Sequence, residues 1–462
     1  MQSPPLKAKR SGFTPSQIVV FGFLVVNVIG TMLLMLPMSS VTPSSTDLLT
    51  AAFTSVSSLA VTGLGVVNTA THWTFFGQAV ILLLIKVGGF GIMALGSLLA
   101  LMLTQRVSFK TKITSTEETK SLGLSDFKGL LIRVFVISAA IELTITAILT
   151  VHLHFGYGEP WGTALWNALF QSVAAFNNAG MSTYPDSLMS FVRDPLVLLS
   201  LSFAVIIGGL GFPVLIELTR RLRQRIVSAR AGGKKLDYHW SLTARLTISF
   251  TVALLVLGTL FIGAIEWSNP ATLGGLSTAD RIINAFVASV MARTAGFNAV
   301  DYALMHNESW IGTDILMFIG GGSAGTSGGL RITTFAVLIY LVLAEIRGDR
   351  EVNVGARRIG FSVQRTAVSL AVLAAAVVLV GVVSIELITD LPTDKIVFEV
   401  ISAFGTVGLS TGITAELPAL GKIILMILMF VGRIGLVLVA TALAQRASNL
   451  SYRLPKERPL IG

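Results

Sequence analysis

The chain of 462 residues is 53% hydrophobic and only 13% charged, with a mean hydropathy of +0.79; soluble domains carry roughly 25% charge, so much of this chain must face lipid. The absence of cysteine excludes a disulfide framework and any thiolate metal site. The net charge of +10 is concentrated: stretches 7–10, 106–133, 220–245, 347–365 and 446–458 hold 26 of the 34 Lys and Arg residues, whereas stretches 39–85, 155–195, 266–310 and 388–422 hold five.

Positive charge collects on the cytoplasmic side of membrane proteins. The basic stretches and both termini are therefore expected inside, the sparse stretches outside, with an even number of crossings between consecutive basic stretches. The apolar run 18–35 is long enough to span about 30 Å of hydrocarbon. No small-residue cleavage site follows it, so a cleavable signal peptide is not expected. The basic rim suits anionic lipid and asks for no nucleic acid.

In chain order, residues 1–113 read as a span at 17–37, a short amphipathic helix at 46–60 opened by Thr46-Asp47 as a cap, a turn at Gly63, and a return span at 73–102 with Trp73 at the interface. Residues 114–236 give a span at 130–155, a short helix at 163–175, a turn at 176–181 and a return at 195–218. Residues 237–352 give a span at 242–267, a short helix at 278–292, a turn at 293–298 and a return at 310–345. Residues 353–445 give a span at 366–388, a short helix at 393–403, a turn at 404–410 and a return at 420–444, before a cytoplasmic tail at 446–462. Each short helix is too short to cross the bilayer. The non-helical backbone that follows it is tolerated at membrane depth only where it is buried in protein or lines a watery cavity. Four such elements meet that condition together by facing one axis. The expected fold is all-α and integral to the membrane, with four tandem units, eight transmembrane helices and four re-entrant pore helices around one pseudo-fourfold pore.

The four turns share a signature. Phe53, Phe170, Phe286 and Phe398 each precede a glycine by ten residues: Gly63, Gly180, Gly296 and Gly408. A large apolar residue follows each glycine, and then a small or polar one: Gly65, Ser182, Asn298 and Ser410. The glycines are 117, 116 and 112 residues apart, a domain-sized repeat rather than a solenoid period. A ring of inward backbone carbonyls can replace the water around a cation without any fixed charge. Glycine supplies the positive φ that turns carbonyls one way and lets chains approach an axis. The residues before each glycine, Val61-Thr62, Asn178-Ala179, Thr294-Ala295 and Thr406-Val407, are small, β-branched or amide-bearing and uncharged. The short helices would point their partially negative C-terminal ends at the cavity, which favours a cation. One such turn alone is ordinary glycine-rich membrane sequence; four on the outward side are not explained by helix packing.

These loops resemble the selectivity-filter signatures of the Trk/Ktr/HKT superfamily of potassium transporters, built from four joined M1–P–M2 units, and the resemblance covers essentially the whole chain. It looks most like the bacterial Ktr membrane subunit, because no additional spans precede the first M1. The resemblance places the filter at Val61, Thr62, Gly63, Asn178, Ala179, Gly180, Thr294, Ala295, Gly296, Thr406, Val407 and Gly408. Glycine rather than serine at Gly63 implies potassium over sodium. It further implies a homodimer docked on a cytoplasmic ring of nucleotide-binding subunits, with ATP or ADP bound on those partners and not on this chain. K+ is the transported ion and Na+ a candidate activator in such a sodium-dependent system. The basic loops and the tail are the expected docking surfaces. A sodium or poorly selective transporter of the same fold is the alternative. A membrane-embedded transferase or protease would need clustered acids or nucleophiles that this chain does not offer.

Residues 320–329, Gly320-Gly321-Gly322-Ser323-Ala324-Gly325-Thr326-Ser327-Gly328-Gly329, interrupt an otherwise apolar span where they weaken a helix. Gly325 is followed by Thr326 and Ser327, not Lys, so this is no phosphate-binding loop. The readings left are a packing kink and an intramembrane gate, and the resemblance implies the gate. Arg433, near the middle of the last return span, is costly at that depth unless it finds acceptors; the carbonyls and hydroxyls of 320–329 are candidates. The family contacts its gate loop with an arginine at this point, but continues Gly-Pro where this chain has Gly435-Leu436; a purely structural tie between the third and fourth return spans is the alternative role for Arg433. Lys86 replaces the family's uncharged residue and either snorkels or lines the vestibule. Glu142, Glu266 and Glu386, near the outer parts of the first span of their units, are expected to cap interfacial turns, with proton or sodium binding as the alternative. His152 and His154 do not form a metal site, and no helix carries the arginine spacing of a voltage sensor.

Overall fold

The computed structural model describes residues 15–42, 45–91, 124–230 and 240–435. The basic stretches 7–10 and 106–123, Leu436 and the tail 446–462 lie outside the described residues. Helix α1 (Pro15–Leu34) is followed by α2 (Leu48–Leu59), the single-turn α3 (Thr69–His72) and α4, described over Phe75–Gly91. Next come α5 (Leu124–Tyr157), α6 (Trp161–Asn177), α7 (Pro195–Leu210) and α8 (Phe212–Arg230). Then α9 (Leu242–Glu266), α10 (Thr278–Met291), α11 (Asn307–Ile319) and α12 (Ile332–Arg347) lead to a small antiparallel hairpin, β1 (Asn353–Val354) and β2 (Arg357–Arg358), with Asn353 opposite Arg358. Helices α13 (Phe361–Glu386), α14 (Thr393–Gly405) and α15 (Ala419–Phe430) complete the described chain, the last running into a π turn at Val431–Gly435.

Among the described residues, Ile132–Tyr157, α9 and α13 are each long and apolar enough to cross a membrane, and α7 with the start of α8 makes a fourth candidate bent by 107°. Their outer faces carry uncovered apolar side chains, such as Leu257 and Leu260 on α9 and Leu379 and Val380 on α13. Contiguous apolar surface of this kind is unfavourable in water and is covered by lipid.

The short helices expected at 46–60, 163–175, 278–292 and 393–403 are α2, α6, α10 and α14. Asp47 caps α2 through the Leu49 N–H at 3.0 Å, and Ser277 caps α10 through the Asp280 N–H at 3.2 Å. Each short helix packs on the long helix before it: α2 on α1, α6 on α5, α10 on α9 and α14 on α13. A hydroxyl repeats this contact in the first three pairs. Ser55 Oγ donates to the Asn27 carbonyl at 3.0 Å, Ser172 Oγ to that of Glu142 at 2.7 Å, and Ser289 Oγ to that of Leu255 at 3.1 Å. Each returning helix then leans on the next short helix: α7 on α10, α11 on α14, and α15 back on α2. Helix α4 reaches α6 where Trp166 Nε1 donates to Gln78 Oε1 at 2.8 Å. The contacts thus close into a ring.

Two expected return spans are broken. The run 195–218 bends at Gly211, whose φ of +87° no side chain adopts cheaply. A Cβ there would also lie 3.2 Å from the Gly325 amide nitrogen. The apolar run hides this break; Pro213, suited only to the first turn of a new helix, is its local signal. The run 310–345 divides into α11 and α12 around residues 320–331.

Candidate functional site

The four loop glycines meet in cyclic order. A Cβ placed on Gly63 would lie 2.5 Å from the Gly180 amide nitrogen, and one on Gly180 would lie 2.7 Å from Gly296 Cα. A Cβ on Gly296 would lie 2.9 Å from Gly408 Cα, and one on Gly408 would lie 3.0 Å from Gly63 Cα, which closes the circle. Real Cβ contacts are not this short, so backbone alone fits at the centre. Phe53, Phe170 and Phe398 are fully buried behind the loops, whereas Phe286 is only partly buried.

The loops share a backbone pattern that differs from the expected one. Left-handed conformation falls first on the residue two before each glycine: Val61 (φ 56°), Asn178 (62°), Thr294 (79°) and Thr406 (50°). It recurs on Gly63, Gly296 and Gly408 but not on Gly180. Backbone that alternates in hand at successive residues turns its carbonyls to one side, which strand or helix geometry does not do together with an advance along an axis. Holding β-branched Val61, Thr294 and Thr406 in this region costs about 1–3 kcal/mol each. The cost is offset by the short helices, whose carbonyls grip the intervening residue: Thr62 N–H on Ser57 at 2.8 Å, Ala179 on Ala174 at 2.8 Å, Ala295 on Met291 at 3.0 Å and Val407 on Ser402 at 2.9 Å. Further clamps lie behind the loops. Ser57 Oγ and Ser402 Oγ accept from the Gly63 and Gly408 N–H groups, both at 3.1 Å. In the second and fourth loops a helix side chain holds the outer limb: Gln171 Nε2 donates to Ser182 Oγ at 2.5 Å, and Ser410 Oγ donates to Glu399 Oε1 at 2.9 Å. Gln171 and Glu399 follow the signature phenylalanines directly, a register that could have revealed them.

The segment 320–331 lies at the helix-proximal end of this ring. Its Thr326 Oγ1 donates to Asn178 Oδ1 at 2.8 Å, and Asn178 Nδ2 in turn donates to Thr294 Oγ1 at 3.2 Å. On the other side a Cβ at Gly328 would lie 2.7 Å from the Gly405 carbonyl. Asn178 begins the second loop and Gly405 ends α14, so the segment, which belongs to the third repeat, touches the repeats on both sides of its own. Its backbone is bonded to the bend of α7: Gly322 N–H donates to the Gly209 carbonyl at 2.7 Å and Phe212 N–H to that of Ala324 at 3.3 Å. Arg433, 1% exposed, donates from Nη1 to the Thr326 carbonyl. The expected contact between Arg433 and this segment is therefore present, through a carbonyl. Glycines explain how α15 brings it there. A Cβ on Gly88, Gly208 or Gly432 would run into the carbonyl of Leu59, Phe176 or Phe404, so these returning helices pack flush on the short helices. Arg433 occupies the next position, filled by Gly89 and Gly209 elsewhere. Arg331, which the sequence motifs leave unassigned, is a second buried guanidinium here, with Nη1 donating to the Gly322 carbonyl at 3.2 Å. Its signal was a charge inside an apolar span.

Lys86 has a partner that the sequence did not indicate. Its Nζ lies 2.6 Å from both carboxylate oxygens of Glu142, joining α4 to α5. Glu142 also accepts from Asn177 Nδ2 at 3.2 Å, one residue before Asn178. Glu142 is thus an ion-pair partner rather than an interfacial cap. Glu266 does cap: it accepts from the His306 N–H at 2.9 Å, at the start of α11. Glu386 accepts from Thr393 Oγ1 at 2.9 Å, at the start of α14. His152 Nε2 meets Asp194 Oδ2 at 2.6 Å. Burial pushes the Asp194 carboxyl up, but His152, Tyr157 and the Val197 N–H outweigh it and hold the group below the ordinary carboxylate range. Removing one member of a buried ion pair strands the other. Lys86→Gln is therefore expected to destabilise the protein by about 3–5 kcal/mol, and Lys86→Gln with Glu142→Gln to recover most of that loss. Thermal unfolding in detergent measures both; equal losses in the single and double variants would show that the pair is not coupled.

The TrkH family, described as cation transport proteins, matches residues 7–451. The chain is 38% identical over 441 residues to the Ktr system potassium uptake protein B of Bacillus subtilis (strain 168), covering 95% of each chain. It is 34% identical to the protein of the same name from Vibrio alginolyticus, covering 98% of this chain and 96% of that one. It is 31% identical to the potassium/sodium uptake protein NtpJ of Enterococcus hirae, covering 99% of each. The crystal structure of the potassium transporter TrkH from Vibrio parahaemolyticus superposes with a TM-score of 0.70 at 16% identity, over 97% of this chain and 88% of that one, a likeness of fold. The apolar helices and these relatives make the molecule a multi-pass membrane protein and a transporter rather than an enzyme. The chain belongs to the TrkH family of cation transport proteins.

Proposed function

We propose that this chain is the ion-translocating subunit of a potassium uptake system in the cell membrane, with both termini cytoplasmic. The observation that carries the reading is the closed ring of four glycine loops, uncharged and free of side chains at its centre. In this reading the repeats at 1–113, 114–236, 237–352 and 353–445 are M1–P–M2 units. The residues Val61–Gly63, Asn178–Gly180, Thr294–Gly296 and Thr406–Gly408 form a carbonyl filter. Residues 320–329 and Arg433 form the gate beneath it, supported by the contacts of the segment with the repeats on both sides of its own. Two membrane subunits pair, and a separate cytoplasmic nucleotide-binding ring controls the gate; both come from likeness to the Ktr proteins. Transport of sodium beside potassium is the second reading, supported by the 31% identity to a potassium/sodium uptake protein.

The test is growth of a potassium-uptake-deficient bacterium on limiting potassium, with and without this chain and a Ktr-type regulatory subunit. Rescue is expected. Failure to rescue with the partner supplied removes potassium as the cargo, and sodium uptake in the same cells decides the second reading.

A further inference from the structure

We propose that α8 is an amphipathic helix lying in the plane of the membrane, whose arginines bind the headgroups of anionic phospholipids, and that this contact biases the 320–331 segment. The second part rests on the gate reading above; the first does not.

The direction of α8 follows from the bend. Helix α7 is the apolar limb of the fourth candidate crossing and packs on α5, which spans; α8 leaves it at 107°, close to perpendicular. Its depth follows from its neighbours. Glu217 accepts from the Ser241 N–H at 2.8 Å and from Ser241 Oγ at 2.7 Å, and Arg221 stacks over the Trp240 ring at 4.1 Å. Ser241 is the N-cap of α9, a full crossing, and tryptophan favours the boundary between hydrocarbon and water. Helix α8 therefore sits level with the end of a span.

Its faces complete the description. Val214 and Leu215 are buried against the protein. The same face continues to Leu218 and Leu222, one turn apart, which are 42% and 59% exposed. Arg220 and Arg225 are exposed, and the helix sequence holds five arginines against the single Glu217, already engaged by Ser241. Apolar side chains at the level of the hydrocarbon edge, flanked by arginines, are what an interfacial helix presents. Guanidinium groups match phosphate in charge and geometry. A soluble protein partner would have to cover Leu218 and Leu222 at a height where acyl chains already reach them.

The coupling is direct. The bend that starts α8 is the segment that receives the Gly322 N–H and gives the Phe212 N–H to residues 320–331. A headgroup contact that holds α8 in the plane holds this arrangement, with the segment against the second loop. Release of α8 frees it.

Two readouts on the full-length chain test the proposal, with Arg220→Gln/Arg225→Gln beside the wild type. The first is retention of phosphatidylglycerol against phosphatidylcholine, by native mass spectrometry after detergent exchange. The wild type is expected to retain phosphatidylglycerol selectively, and the variant to lose that selectivity by about fivefold per arginine. The second is potassium flux in vesicles of phosphatidylcholine with and without phosphatidylglycerol. The anionic lipid is expected to lower flux through the wild type and leave the variant unchanged. Equal retention by wild type and variant overturns the site, whatever the flux. Selective retention with flux indifferent to the lipid overturns the coupling. Selective retention with no flux in any vesicle upholds the site and removes the transport reading instead.

Discussion

Replacing Arg433 by glutamine is expected to raise potassium flux through the isolated chain by roughly tenfold to a hundredfold. Arg433 donates from its charged guanidinium to the carbonyl of Thr326, the residue whose hydroxyl donates to Asn178 of the second loop. A hydrogen bond from a charged group is worth about 1.5–3 kcal/mol, and its loss weakens the hold on the segment by that amount. A second effect acts in the same direction. Arg433 lies near enough to Arg331 for the two positive charges to repel each other, and in the proposed gate both lie on the path by which a cation leaves the ring. Removing one lowers the electrostatic barrier to a cation in a low-dielectric site. Flux into vesicles loaded with protein but no regulatory subunit is the measurement. Arg433→Lys keeps the charge and loses the reach, so it separates the anchor from the barrier: high flux in both variants assigns the effect to the anchor. Flux unchanged in Arg433→Gln would remove Arg433 from the gate.

Gly63→Ser is expected to lower potassium uptake at least thirtyfold and to weaken its preference over sodium. Gly63 holds a φ of +100°, and its added Cβ would lie 2.5 Å from the Gly180 amide nitrogen, where backbone rather than a yielding side chain stands in the way. The strained conformation costs about 1–3 kcal/mol and the overpacking about 1–3 kcal/mol. Even the low end of their sum, about 2 kcal/mol, corresponds to roughly thirtyfold in an equilibrium constant. The ring can relieve the clash only by widening, which spoils the fit of carbonyls around a bare ion. Gly162→Ser is the control, because its Cβ would meet nothing within 4 Å. Competitive uptake of the two ions in cells reads both effects. Wild-type uptake and preference in Gly63→Ser would place the filter elsewhere.

The ring and the 320–331 segment were legible to different depths. Phe-to-Gly spacing and hydropathy located the short helices to within a few residues, and the register of the four glycines marked the backbone that meets. Arg433 stood out as a charge in an apolar run, residues 320–329 offered it acceptors, and the family resemblance implied their contact. Three features were not legible. The left-handed residue is β-branched Val61, Thr294 or Thr406 in three loops, none of which announces that conformation as Asn178 does in the second; the carbonyls of the short helix impose it. Lys86 looked unpaired because Glu142 is 56 residues away in sequence and on another helix. The bend at Gly211 was hidden in a run apolar enough to continue.

By itself, then, the sequence determined that this protein lives in lipid, where its short helices lie, and which four glycines must share a place. Hydropathy, capping and periodicity are properties of neighbours along the chain, and they survive without knowledge of the partner. The tertiary structure decided which backbone is strained, which charges pair, and what Arg433 and the bend at Gly211 hold. Apart from the loop strain, which the adjoining short helix imposes, those outcomes depend on atoms brought within about 3 Å by packing between segments 56 residues apart for Lys86 and Glu142 and 107 for Thr326 and Arg433, and no local pattern carries that distance.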